Sequence, residues 1–370
     1  IHALRLRRHP QCRRGTRTAE RNSFTVRSSC SRKAGSTRIS KVLILIICRL
    51  KLRGKYKPKS RNLQQKVRGT GFLIIFARKS TPNAMKPETV CTVVFSPTGT
   101  SKKIAETVAR SIASDAGTEA AALKTIDLTH AAAHSAALSA GAVAVIAAPV
   151  YGGLVAPVAV RRIARLRAEN SIAIPVVVYG NRDYEDALVQ LRDLLYAQGF
   201  TPLCGAAFVG EHSYSRPGMP VAEGRPDAAD LQKAAAFGAQ AYGSLLHQLN
   251  LPHPPATDAR DFALTYDSPL ESLVTAPAMK GNVSYKTLGP STPQAPVVNG
   301  NCYGCGECVD WCPTGAITIA DGRSATRVDL CTKCCACVKF CPVGGRTFDT
   351  PYTAMLHQNF SARREPECFV

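Results

Sequence analysis

The chain has 370 residues, 45% of them hydrophobic and 20% charged, with a formal net charge of +21. This composition excludes a fibrous or wholly disordered chain, and the length leaves room for two or three domains. The charge resembles a nucleic-acid signal but is confined to one end: residues 1–84 hold 23 of the 47 Lys and Arg residues and one acid, Glu20, so the rest of the chain is close to neutral.

Residues 1–84 read as a basic, disordered leader without a packed core. The first methionine is Met85, directly ahead of a strand-like run. The expectation is that Met85 is the true start and that residues 1–84 are translated upstream sequence. An Arg- and Ser-rich, acid-poor segment also fits an organellar transit peptide or an electrostatic contact with nucleic acid. The apolar runs Val42–Ile47 and Phe72–Phe76 fall far short of the roughly 20 residues that span a bilayer, so no membrane contact is expected.

Residues 85–250 alternate strand and helix patterns. Short apolar runs predict strands at Val90–Phe95, Thr125–Leu128, Gly141–Ala148, Ile172–Tyr179 and Leu203–Val209. Helical spacing predicts a helix carrying Ile104, Val108 and Ile112, and others at about Val158–Glu169, Tyr184–Gln198 and Ala228–Leu246. This alternation implies an α/β, doubly wound, five-stranded parallel sheet covered on both faces, with ligands at the carboxyl ends of its strands. Three of those ends carry distinctive loops. Ser96, Thr98, Gly99, Thr100 and Ser101 form a hydroxyl-rich turn at a helix N-terminus, suited to a phosphate group or to simple capping. Pro149, Tyr151 and Gly152 follow the third strand; Gly180, Asn181, Asp183 and Tyr184 follow the fourth. Tyr151 and Tyr184 could present aromatic faces to a flat ring. Glu211 and His212 follow the fifth strand and are candidates for a proton relay or a loop-capping pair.

Residues 251–298 are rich in Pro, Ser and Thr and read as a connector, with one short helix around Leu270–Ala276. Residues 299–349 carry a duplicated motif. Cys302, Cys305, Cys308 and Cys312-Pro313 are spaced C-x-x-C-x-x-C-x-x-x-C-P, and Cys331, Cys334, Cys337 and Cys341-Pro342 repeat it. This spacing holds two [4Fe–4S] clusters, the fourth cysteine of each run ligating the other cluster. Cys302, Cys305, Cys308 and Cys341 are thus assigned to one cluster, and Cys331, Cys334, Cys337 and Cys312 to the other. Zinc and disulfides are the alternatives, but paired zinc knuckles and secreted disulfide scaffolds have other patterns. Cys335 reads as packing. Residues 350–370 are a tail without an assigned role, and Cys368 reads as a spare surface thiol.

The segments FSPTGTSKKIA, APVYGGL and YGNRDYEDAL resemble the three FMN-binding loops of flavodoxins. Residues 85–370 resemble a family of flavodoxin–ferredoxin fusion proteins found mainly in anaerobic bacteria and archaea. In that family Gly210-Glu211-His212-Ser213, Lys280-Gly281-Asn282 and Arg363-Arg364-Glu365-Pro366 also recur. The resemblance implies a flavodoxin-like FMN domain followed by a small α+β dicluster ferredoxin domain. It also implies an electron-transfer flavoprotein that links one- and two-electron partners, with redox proteins as those partners; the fifteen cysteines, eight of them assigned as cluster ligands, imply a reducing cytoplasm. An FMN-dependent, iron–sulfur-fed reductase of a small substrate is the alternative function.

Overall fold

Val90–Val94 (β1), Lys124–Asp127 (β2), Val143–Tyr151 (β3), Ser171–Tyr179 (β4) and Gly205–Val209 (β5) are parallel strands of one sheet. The central strands read as unbroken apolar runs because both of their faces are covered. In β3, Val143, Val145 and Ala147 enter the core on one face, and Ala144, Ile146 and Ala148 the core on the other. The computed structural model describes residues 89–117, 123–130, 137–249, 270–290 and 292–370, and these belong to one compact unit. The expectations for residues 1–84 lie outside the described residues, as does the connector from 251 to 269.

Four helices cover the sheet: Thr100–Asp115 (α1), Pro157–Ile163 (α2), Ala187–Ala197 (α3) and Ala228–Gln248 (α4). Ile104, Val108 and Ile112 of α1 pack with Phe237 and Leu245 of α4 on one face. Val158 and Ile163 of α2 pack with Leu188 and Leu191 of α3 on the other. α4 starts at a reciprocal cap, with Asp227 accepting from the Asp230 N–H and Asp230 from the Asp227 N–H. α2 is shorter than expected. Beyond Ile163 the chain turns, buries Leu166, and pairs Arg167–Ala168 with Ala137–Leu138.

The strand order is β2-β1-β3-β4-β5, the flavodoxin-like order, whose switch point lies between β1 and β3. Beyond β5 the chain follows Val297–Val298 (β6), Glu307–Asp310 (α5), Ile317–Ala320 (β7), Arg323–Thr326 (β8), Ala336–Lys339 (α6) and Arg346–Thr347 (β9). β6 pairs with β9 and β7 with β8, both antiparallel. The apolar core of this module is small, centred on Cys308, Ile317 and Cys337.

The tail returns to the first domain. Pro351–Asn359 is a helix (α7), and Glu367–Phe369 (β10) joins the sheet as an antiparallel strand on β5. With the short strands Leu154–Val155 on β3 and Phe200–Pro202 on β4, the sheet has eight strands, three more than the five-stranded expectation. The described part of the connector is strapped down. Asp186 accepts from the Asn282 and Lys286 backbone N–H groups at 2.9 Å each, and Tyr285 Oη donates to Asp193 at 2.5 Å. Met279 is buried against the α3 side of the sheet.

Candidate functional site

The carboxyl ends of β1, β3, β4 and β5 open into a cavity of about 810 Å³. Ser96, Thr98, Thr100, Ser101, Pro149, Tyr151, Gly152, Gly180, Asp183, Glu211 and His212 all line it. Gly99 sets the first turn with φ +83°, a left-handed conformation that suits glycine. Gly99 at the α1 N-cap has no side chain to cap the helix and the first turn holds no acid, so the N–H groups at its start favour an anion. Ser96 Oγ accepts from the Lys102 N–H at 3.0 Å. Ser101 is fully buried, and its Oγ makes no hydrogen bond among the described residues. A buried hydroxyl without a partner costs stability. Here it lies in the wall of the cavity beside a helix N-terminus without an acid, which is the chemistry a phosphate ester would satisfy.

Opposite this turn, Gly180 sits against His212, and a Cβ there would collide with the imidazole. His212 Nδ1 accepts from the Tyr214 N–H at 3.0 Å, which leaves any proton of the neutral ring on Nε2. Burial, with the charges of Lys339 and Arg182, lowers the His212 pKa to about 4. At neutral pH His212 is therefore an uncharged donor and not an acid that titrates there. Glu211 pairs with Lys339 of α6 and accepts from the Gly224 N–H at 3.3 Å. Burial pushes the Tyr151 phenol up, so it stays protonated.

Two expected site residues do other work. Asn181 is buried and donates through Nδ2 to the Phe360 and Ala362 carbonyls at 2.6 and 2.8 Å. Tyr184 is fully buried, its Oη donating to Glu367 at 2.6 Å, with Lys280 4.6 Å above its ring. Neither lines the cavity; both anchor the tail and the connector beneath the loop. Lys280, Asn282 and Arg364 converge on the same loop, through Asp183, Asp186 and Asn181 respectively. Burial would raise the Asp183 pKa, but the Glu185 N–H, Lys280 and Arg364 outweigh it and hold the carboxyl below its usual range.

The second module brings its cysteines together as two quartets. Cys302, Cys305, Cys308 and Cys341 ring one cavity. Cys312, Cys331, Cys334 and Cys337 ring another, with Cys335 beside them. The spacing alone assigned these same two sets. All twelve cysteines among the described residues are free of disulfides. Among the described residues no three or more His, Cys, Asp or Glu side chains converge on a single-ion site. Backbone N–H groups donate to the sulfurs in matching positions of the two halves, Ala316 to Cys312 at 3.2 Å and Gly345 to Cys341 at 3.1 Å. Such bonds favour thiolates carrying negative charge. The Cys335 thiol donates to the Lys333 carbonyl at 3.6 Å, which is a packing role. Sequence reasoning missed Arg346, which is buried at the first cavity; a single arginine after the last cysteine gives no pattern to read.

The two sites meet. Leu330, Cys331, Thr332 and Lys333 of the cysteine module line the large cavity, and Cys331 also lines its own quartet's cavity. The modules are locked together at several points. Arg162 donates to the Leu128, Thr129 and Pro313 carbonyls at 2.7, 2.5 and 2.6 Å, and Arg216 pairs with Asp349 at 2.7 Å. Tyr214 packs edge-on to Phe348, their centroids 5.0 Å apart.

Residues 297–342 match the family described as a 4Fe-4S dicluster domain. No curated protein matches the chain. Similar solved structures include a flavodoxin from the domain Archaea, at 13% identity and TM-score 0.29, covering 43% of this chain and 99% of that one. Flavodoxin 1 from Bacillus cereus, at 13% identity and TM-score 0.27, covers 42% and 96%. The flavodoxin of Streptococcus pneumonia TIGR4, at 15% identity and TM-score 0.28, covers 42% and 97%. The described chain is a sheet with the flavodoxin strand order followed by a 4Fe–4S dicluster domain, an arrangement for electron transfer.

Proposed function

We propose that the protein passes electrons between FMN, held at the carboxyl ends of the sheet, and two [4Fe–4S] clusters held by the two quartets. The observation that carries this reading is Cys331, which lines the large cavity on one side and the second cluster cavity on the other. One thiolate then separates the flavin site from a cluster. The first quartet has the opposite setting. Its ligand Cys305 is exposed, beside Tyr303 at 64% exposure, so this cluster is the port for an external one-electron carrier.

When bound, the flavin supplies the conversion between single electrons and pairs. The chain's own residues do the rest. The Ser96–Ser101 turn binds the phosphate and fixes the ring's register. Tyr151, still protonated, walls the cavity. His212 offers a neutral N–H, and the Glu211–Lys339 pair and Arg162 hold the cluster module against the cavity mouth. A second reading, an FMN-dependent reductase of a small anion, is favoured by Arg161 and Arg165. These exposed side chains line the cavity and pair with no carboxylate among the described residues. Sustained turnover of a defined anionic acceptor would promote it.

The test uses protein purified without oxygen. About eight iron, eight sulfide and one FMN per chain are expected. Ser101→Ala separates binding from folding, because its hydroxyl has no protein partner to lose. The variant should weaken FMN binding about tenfold while leaving the flavin-free protein as stable or more so, and leaving iron content unchanged. Unaltered FMN affinity would remove the phosphate assignment.

A further inference from the structure

Arg346 is the largest fully buried side chain among the described residues, only 2% exposed. Its Nη1 donates to Ser324 Oγ at 2.7 Å; its Nη2 donates to the Pro296 carbonyl at 3.1 Å and to Thr326 Oγ1 at 2.5 Å. Nε has no acceptor, and the partners of the other two nitrogens are hydroxyls and a carbonyl, not a carboxylate, among the described residues. A buried cation with only neutral partners is strongly disfavoured unless another negative charge compensates it. The surroundings show where that charge lies. Arg346 lines the cavity of the first quartet, and its charge also acts on the Cys337 thiol of the second, whose helix packs against β9. Ser324 extends its reach. Because Arg346 donates to Ser324 Oγ, the hydroxyl proton is left for Cys302 Sγ, 3.7 Å away.

We infer that Arg346 is a counter-charge shared by the two cluster sites, acting on Cys302 through Ser324 and on Cys337 through its charge, and that it favours the reduced state of both clusters. This rests on the reading of the two quartets as cluster ligands. Each reduction adds one electron, delivered by the external carrier or by the flavin, and one negative charge to a cluster. The step transfers an electron and no proton. The fixed cation lowers the energy of the added charge. It is a positioning residue, and it makes the two reductions depend on one side chain.

The test is a spectroelectrochemical titration of the cluster absorbance in the full, cluster-loaded chain, with iron and sulfide assayed in the same samples. Arg346→Gln should disfavour both one-electron steps by about tenfold, equivalent to about 59 mV each. Arg346→Lys keeps the charge but loses the fork that orients Ser324, so it should shift them less. Ser324→Ala should move one step and leave the other in place. The inference is overturned if Arg346→Gln retains its iron and leaves both steps unmoved, or if the exposed Arg323→Gln shifts them equally. Should Arg346→Gln fail to hold clusters, Ser324→Ala decides: one moved step supports the inference and none refutes it. Iron and sulfide well below eight in the unaltered protein would instead strike at the ligand reading, separately from any potential.

Discussion

His212, half-buried in the cavity wall, and the buried Arg225 show how single groups set the behaviour of this part of the molecule. The His212 pKa falls from its ordinary 6.5 to about 4 because burial excludes the charged ring. The unfolded chain binds a proton near pH 6.5 and the folded chain does not, so stability is lost as pH falls from about 6.5 toward 4. The slope reaches about 1 kcal/mol per pH unit. Urea unfolding between pH 7 and 5 should show that loss, and His212→Gln should flatten it; parallel profiles would mean the ring is not buried neutral. Arg225 makes a forked pair with the fully buried Asp230 and donates to the Arg364 carbonyl at 2.6 Å. Arg225→Met leaves the buried Asp230 carboxylate with only the more distant Arg363, at 3.7 Å, as a charged partner and should cost about 3 kcal/mol in urea unfolding. Adding Asp230→Leu should recover only part of that, because Asp230 also closes the α4 cap. At this scale the sequence was legible where chemistry imposes spacing. The eight cysteines could be sorted into quartets because a cluster needs thiolates at fixed intervals. Asn181 and Tyr184 were misplaced because a strand-end loop has two sides, and sequence does not say which side faces the ligand. Arg346 was invisible, since its burial depends on a fold that brings Ser324, Thr326 and Pro296 around it.

At the scale of elements, the sheet was readable and its closure was not. Strands buried on both faces leave unbroken apolar runs such as 143–148, and turn chemistry marks their ends. β10 has three residues, one charged, and no periodicity; it is a strand only because β5 offers an open edge beside it. Its register pairs Glu367 with Ala207 and Phe369 with Gly205. An uncovered edge invites pairing with other chains. Ending the chain at Phe360 should therefore expose β5, free the Asn181 amide from Ala362, and produce dimers or larger species by light scattering. A truncated protein that stays monomeric, with unchanged flavin content, would show that the tail is not needed to close the sheet.

Across the whole molecule, the decisive feature is the seam between the modules. Sequence could not choose between a swinging connector and a docked one. The described connector is docked at Asp186 and Asp193, while Arg162, Glu211 and Arg216 tie the cluster module to the cavity. No helix among the described residues is long and apolar enough to cross a membrane, and the route proposed for electrons runs within one chain. Electrons would enter at the exposed Cys305 side, pass to the second quartet, and reach the flavin past Cys331. The most direct measurement is laser-flash reduction of the clusters by a sensitiser too bulky for the cavity, following flavin bleaching at several protein concentrations. Transfer within one chain gives a first-order rate that does not change with protein concentration. A rate that rises in proportion to concentration would mean that electrons reach the flavin from another molecule, and would contradict it.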